Sequence, residues 1–239
     1  MGINKVKRAI ILAAGVGKRM QPVTLEKPKP LVEVNGVCMI DTVVEALHEN
    51  GIFEIYVVVG YLKEQFYKWQ EKYKGVTLIE NPYYMTCNNI SSLYVAREHI
   101  SDCFILDGDQ IIRNKEILSA EFDRSGYNAV WTDERTEEWV LEVNDGIVTD
   151  CSRTGGESGW QLFSVSRWSD EDGKKLKKHL EKEFDDKLNR NIYWDDIAIF
   201  CHPDDYSLGI YPMQFGDVIE IDSLKELSEY DSSYKNLNI

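Results

Sequence analysis

Short runs of branched apolar residues alternate with stretches of helical periodicity through the first half of the chain. The run RAIILA at 8–13 stops at Gly15 and predicts a buried strand. EIYVVV at 54–59, a short run at 76–79 and CFIL at 103–106 predict three more. Between them, Ile40, Val43, Val44 and Leu47 are spaced for a helix over 39–50, with Gly51 as its stop. A second helix is expected over 62–73 and a third over 91–100, the latter starting near Asn88 or Asn89. Strand and helix in alternation imply a parallel sheet covered on both faces. Ligands of such sheets sit at the carboxyl ends of the strands. The loop 14–30 and the turn Asp107-Gly108-Asp109 both lie just past strand ends, so one crevice can hold both.

The pattern changes after about residue 125. Strand-like segments fall at 128–132, 139–143 and 147–151, with Asn144-Asp145-Gly146 as a hairpin turn, and alternation returns at 160–165. A charged stretch at 170–188 carries an apolar stripe of Leu176, Leu180 and Phe184 and predicts an amphipathic surface helix. Late strands are expected at 209–212 and 218–221, and a last helix at 223–229. No linker, repeat or low-complexity tract interrupts the chain. The expected fold is α/β: a Rossmann-like, mostly parallel sheet sandwiched by helices, with a smaller β-rich portion. It forms one domain over 1–239, divided at about 125 into two halves.

Charge narrows the choice of partner. With 27 Lys+Arg against 41 Asp+Glu the chain carries a net charge of −14, which argues against nucleic acid or an anionic membrane surface as partner. A small anion remains acceptable, because a local nest of N–H groups binds phosphate inside an acidic protein. The longest apolar runs are too short to span a bilayer, and no signal peptide is read at the N-terminus. The five cysteines are scattered without CxxC, and none of the four histidines falls in a zinc-ligand spacing with them. Free thiols in a cytoplasmic protein are expected.

Chemistry concentrates in the segment 12–32, LAAGVGKRMQPVTLEKPKPLV. Ala13, Ala14, Gly15 and Gly17 follow a strand, and a loop of such small residues lets backbone N–H groups approach phosphate oxygens. Lys18, Arg19, Lys27 and Lys29 add cationic charge. The segment is neither a P-loop nor a dinucleotide fingerprint, since GxxxxGK[ST] and a third glycine at position 20 are absent. Taken singly, Asp107 and Asp109 also suit a polar turn, and Asp222 a helix N-terminus. Two carboxylates from distant segments at one strand-end crevice would instead suit Mg²⁺.

The ordered string A-A-G-x-G-x-R-[ML]-x-P-x-T, followed by K-P-K-P-L-V, resembles the signature of the nucleotidyltransferases that activate sugar phosphates and phospho-alcohols with an NTP. Val59-Gly60-Tyr61, Asp107-Gly108-Asp109 and Ile221-Asp222-Ser223 extend that resemblance over nearly the full chain. It implies a nucleotide-diphospho-sugar transferase type of fold, with a nucleotide-binding first half and an acceptor-binding second half. It implies a glycine loop around the NTP phosphates, with Arg19 and Lys29 as catalytic cations at the α-phosphate. Mg²⁺ is then held by Asp109 and Asp222. Lys18 stands where many members carry Ser or Thr.

Further segments look like those of the bacterial CTP:phosphocholine cytidylyltransferases: Asn81-Pro82, 60–66, 87–94, Glu138-Trp139, Tyr193-Trp194-Asp195 and 220–223. The resemblance implies CTP and phosphocholine as substrates and CDP-choline and pyrophosphate as products. Asn88 and Ser92 are the candidates for reading cytosine, and Asp107 joins them on the nucleotide side. A quaternary ammonium calls for aromatic faces and acids, for which Trp139, Tyr193, Trp194, Asp195 and Glu220 are the candidates. Two other readings stay open. One is the same chemistry on phosphoethanolamine, 2-aminoethylphosphonate or a sugar 1-phosphate; the other is a non-catalytic nucleotide-sensing module.

Overall fold

The computed structural model describes residues 2–235 and 237. Its first half winds as the periodicity predicts: β1 (Arg8–Ala13), α1 (Met39–Glu49), β2 (Glu54–Val59), α2 (Glu64–Gln70), β3 (Val76–Glu80), α3 (Ile90–Val95) and β4 (Cys103–Asp107). A short strand β5 (Gln110–Ile112) follows the Asp-Gly-Asp turn. The second half contributes β6 (Gly126–Thr132), β7 (Val140–Asn144), β8 (Ile147–Ser152), β9 (Gly159–Trp168), α4 (Asp170–Glu181), β10 (Gly209–Met213), β11 (Val218–Glu220) and α5 (Leu224–Tyr230).

Nine strands form one sheet in the order β6-β10-β8-β7-β9-β4-β1-β2-β3. β4, β1, β2 and β3 run parallel, and β9 joins antiparallel to β4. β6 pairs with both β9 and β10, so the far end of the sheet turns back on itself. The core lies on both faces of the parallel half. α1 and α2 bury Val43, Val44, Leu47 and Phe66 against one face. α3 and α4 bury Leu93, Leu176 and Leu180 against the other.

Three predicted helices are shorter than their apolar patterns. Leu62 has φ of 48°, a left-handed backbone that no helix continues through, so α2 starts at Glu64. The third helix breaks at Ala96 into α3 and a single tighter turn, Arg97–His99. The fourth ends at Glu181 and continues as a wider turn, Lys182–Asp186, that still buries Phe184.

Candidate active site

β1 ends at Ala13 in the middle of the parallel strands, and the chain leaves it as the glycine loop. Gly17 has φ of 65°, and a Cβ there would lie 3.0 Å from Thr24 Cγ2 and 3.1 Å from Lys29 Cβ. Both the backbone angle and the close packing require glycine. The Thr24 hydroxyl donates to the Gly17 carbonyl at 2.8 Å and pins the loop. Leu12, Ala13, Gly15, Gly17, Lys18, Arg19, Lys29 and Pro30 line a cavity of about 300 Å³ together with Asp109 and Asp222. The Ala14 side of the loop faces the fold instead: its carbonyl accepts from the Tyr61 N–H at 3.1 Å.

Asp109 reaches this cavity because β4 is in register with β1. Leu12 is paired with Asp107, and the Gly108 N–H donates to the Leu12 carbonyl at 2.9 Å. Asp222 arrives from the other end of the chain. β11 pairs antiparallel with β5, setting Glu220 opposite Gln110. Ser223 then caps α5 in a capping box with Glu226, which leaves the Asp222 side chain directed at the glycine loop. One ammonium joins the two carboxylates: Lys29 Nζ lies 2.6 Å from Asp109 Oδ2 and 2.7 Å from Asp222 Oδ1. Arg19 Nη2 is 3.1 Å from the same Asp222 oxygen, and its side chain is 73% exposed, free to turn to a ligand.

Lys29 is buried. Burial works against its charge, but Asp109 and Asp222 more than offset that and hold its pKa above the ordinary value. Burial likewise works against an ionised Asp222, yet Lys29 and Arg19 prevail and lower its pKa. Lys29 and Asp222 therefore hold each other in their charged forms at neutral pH. Hard carboxylate oxygens from two segments, beside a phosphate-sized basic cavity, are the donor set that Mg²⁺ uses with phosphates and water.

A second cavity of about 300 Å³ adjoins the first and shares Arg19, Asp109 and Asp222 with it. Its other walls are Asn89, Asp107, Glu138, Trp139, Leu162, Ser164, Tyr193, Asp195 and Glu220. Trp139 and Tyr193 meet edge to face, with ring centroids 5.6 Å apart. The acids here differ from the pair at Lys29. Burial pushes the Asp195 carboxyl up to about 7, and Glu220 likewise, the latter helped by the charges of Asp109, Asp222 and Glu138. Asp107 is raised by burial and by the charges of Asp109 and Asp195. The Asp195 carboxyl is buried, with the buried Tyr127 hydroxyl beside it. The cavity is rich in carboxyl groups and walled by two aromatic rings.

Several residues expected at the site stand elsewhere. Trp194 is 2% exposed and packs in the core against Tyr127 and Trp168, because the segment turns its two neighbours, not Trp194, toward the cavity. Asn88 and Ser92 line neither cavity. Asn88 accepts from the Asn89 N–H and donates to the Asn191 carbonyl, while Ser92 Oγ accepts from Asn81 Nδ2 at 3.1 Å. Asn89, not Asn88, reaches the second cavity. Asp107, expected beside the nucleotide, opens on the second cavity. Gln110, Leu162 and Ser164 carried no motif. Gln110 is buried and donates from Nε2 to Glu220 Oε1 at 2.7 Å, so it aims that carboxyl.

Comparison with known proteins gives the family. A model of the MobA-like NTP transferase domain matches residues 9–169. The chain belongs to this family. It is a nucleotidyltransferase, with the nucleotide-diphospho-sugar transferase fold that the motif resemblance implies. It is similar to the 2-aminoethylphosphonate cytidylyltransferase of Lancefieldella rimae, 36% identical over 98% of this chain and 96% of that one. It is also similar to the choline-phosphate cytidylyltransferase of Streptococcus pneumoniae, 32% identical over 97% and 100%. The solved structure of the CTP:phosphocholine cytidylyltransferase from the latter organism superposes with a TM-score of 0.88 at 33% identity, covering 96% of this chain and 99% of that one.

Proposed function

We propose that this cytidylyltransferase uses Mg²⁺ and joins CTP to phosphocholine, giving CDP-choline and pyrophosphate. The observation that carries the reading is the sharing of Arg19, Asp109 and Asp222 by two cavities, one basic and phosphate-sized, the other acidic and aromatic. The triphosphate lies on the loop of Gly15, Gly17, Lys18 and Arg19. The acceptor's ammonium sits against Trp139 and Tyr193, between Asp195, Glu138 and Glu220. Its phosphate then points at the shared wall, in line with the α-phosphorus. A phosphate oxygen forms the new P–O bond, the bond to the β-phosphate breaks, and pyrophosphate leaves. No protein base is needed, because a phosphate monoester with a second pKa of about 6 is mostly dianionic at pH 7. Mg²⁺ bound by Asp109 and Asp222 would neutralise phosphate charge. Lys29 holds the two carboxylates in place, and Arg19 moves from Asp222 to the phosphates. Positioning and charge compensation are the protein's whole contribution.

A primary amine is the second reading, favoured by the buried Asp195 carboxyl on the cavity wall and by the similarity to a 2-aminoethylphosphonate enzyme. An –NH₃⁺ would donate to Asp195, whereas trimethylammonium has no hydrogen to give. Pyrophosphate release from each of four NTPs, with phosphocholine, phosphoethanolamine, 2-aminoethylphosphonate and a sugar 1-phosphate, separates them. The expected result is turnover with CTP and phosphocholine that chelation of magnesium abolishes. Faster turnover of 2-aminoethylphosphonate, with Asp195→Asn losing it selectively, would replace the acceptor. Activity unaffected by chelation would remove the metal.

A further inference from the structure

Arg153 lines neither cavity, yet its guanidinium lies against Trp139, a ring that walls the second one. We propose that Arg153, together with Asp196, is a positioning residue that holds Trp139 and Tyr193 in the geometry that receives the acceptor's ammonium group. The inference rests on the reading of the second cavity as the acceptor's. Strand register brings Arg153 to its place. β7 and β8 pair antiparallel with Val140 opposite Ser152, so one further step sets Trp139 beside Arg153. The guanidinium carbon is 3.9 Å from the centre of the Phe200 ring and 5.5 Å from that of Trp139. Trp139 in turn meets Phe200 edge to face at 5.7 Å and Tyr193 at 5.6 Å. A cation is attracted to an aromatic face, and a planar guanidinium also stacks on it as an ammonium cannot.

The second ring is held through Asp196. Arg153 Nη2 donates to Asp196 Oδ1 at 2.6 Å, and Asp196 Oδ2 accepts from the Tyr193 N–H at 2.9 Å. One carboxylate thus joins Arg153 to the backbone of the residue that carries the ring. The Asp196 side chain is 2% exposed and that of Arg153 46%. A buried carboxylate without its partner is costly, so the pair persists although the arginine reaches water. Tyr193 is 48% exposed, so core packing alone does not fix its ring. Three segments meet at Arg153: the residue before β7, the turn after β8, and the stretch from Tyr193 through the wide turn Ile197–Cys201 that carries Phe200. Arg153 is therefore placed to set the distance between the two cavity rings while touching neither substrate. Its loss should weaken recognition of the acceptor and spare the nucleotide.

The test is steady-state kinetics of the full chain with CTP and phosphocholine or 2-aminoethylphosphonate, whichever the parent turns over faster. The variants are Arg153→Met, Arg153→Lys, Trp139→Ala and the double variant Trp139→Ala/Arg153→Met. Arg153→Met should raise KM for the acceptor about three- to tenfold and leave KM for CTP and kcat within about twofold. Arg153→Lys keeps a charge for Asp196 without the flat plate and should recover part of that loss. In the double variant the two effects should fall short of multiplying, because Arg153 then has one ring fewer to hold. Thermal melts accompany each variant. If Arg153→Met melts too low to assay because Asp196 is left unpaired, Arg153→Lys still decides, with a smaller rise in the same KM. A lower melting temperature with both KM values parental, equal rises in both KM values, or full multiplication in the double variant would overturn the positioning role. So would a parental acceptor KM in both Arg153 variants while Trp139→Ala raises it, a result that leaves the acceptor cavity standing. A parental acceptor KM in Trp139→Ala as well, or no turnover of either acceptor by the parent, would overturn the reading of the cavity and this proposal with it.

Discussion

At the scale of single residues, charge placement governs the site. Lys29 is the counter-ion of Asp109 and Asp222 before any substrate arrives. Lys29→Met should lower kcat by about 10²–10³ while circular dichroism stays unchanged, as expected when a preorganised cation is removed. A parental turnover number in that variant would exclude Lys29 from catalysis. Glu220 behaves oppositely. Its folded pKa of about 7 stands above the ordinary 4.5, so the native state binds the proton more tightly than the unfolded chain. Its ionisation therefore costs stability as pH rises from about 5 to about 8. Glu220→Gln keeps the oxygen that Gln110 binds and removes that cost. It should melt with the parent near pH 5 and above it near pH 8, by on the order of 2–3 kcal/mol. Asp195, also raised to about 7, adds a ligand effect. Above that pH the second cavity carries more negative charge, so choline, used as an inhibitor, should bind more tightly at about pH 8 than at pH 6. An inhibition constant independent of pH would mean that these acids do not face the cation. The sequence marked the carboxylates and the glycine loop because the chemistry requires those residue types. It could not separate Trp194 from Trp139, since adjacent residues with the same apolar character can point to core or cavity.

Among the elements, the pairing of β5 with β11 decides whether there is a site at all. It is three residues long on each side, and it carries Asp222 to Asp109. Apolar runs at 54–59 and 8–13 match β2 and β1 to the residue, because a strand buried on both faces is written as an unbroken apolar run. β5 was missed for the converse reason: Gln-Ile-Ile after a turn is too short to show a period. The pair is held from behind by Ile219, Ile221, Leu224 and Leu227, packed on Met20, Val32 and Met39. Ile221 is fully buried next to the catalytic candidate. Ile221→Ala should cost about 2–5 kcal/mol in denaturant melts. It should also raise the Mg²⁺ concentration needed for half-maximal rate, because Asp222 loses its fixed position. A normal magnesium response in a destabilised Ile221→Ala would separate the packing of this strand from the chemistry.

For the molecule as a whole, a net charge of −14 surrounds the cavity proposed to accept a triphosphate. Binding of CTP and Mg²⁺ should therefore be cooperative. Each alone should shift the melting temperature little, and both together should stabilise by about 2.7 kcal/mol at a hundredfold excess over Kd. Equal shifts with and without magnesium would contradict the shared metal wall. Selectivity also belongs to this scale, because the proposed acceptor cavity is assembled from β4, β9, β11, the residues just before β7 and the 193–195 segment. Trp139→Ala should raise KM for phosphocholine about tenfold and leave KM for CTP unchanged. The order of strands and helices, the family and the glycine loop after the first strand were written in the sequence, since local periodicity and an ordered motif are properties of neighbours along the chain. The joining of Asp109 to Asp222, the withdrawal of Trp194 into the core and the meeting of Arg153 with Trp139, Phe200 and Asp196 were decided only by tertiary structure, because burial and strand register set which distant side chains share one volume.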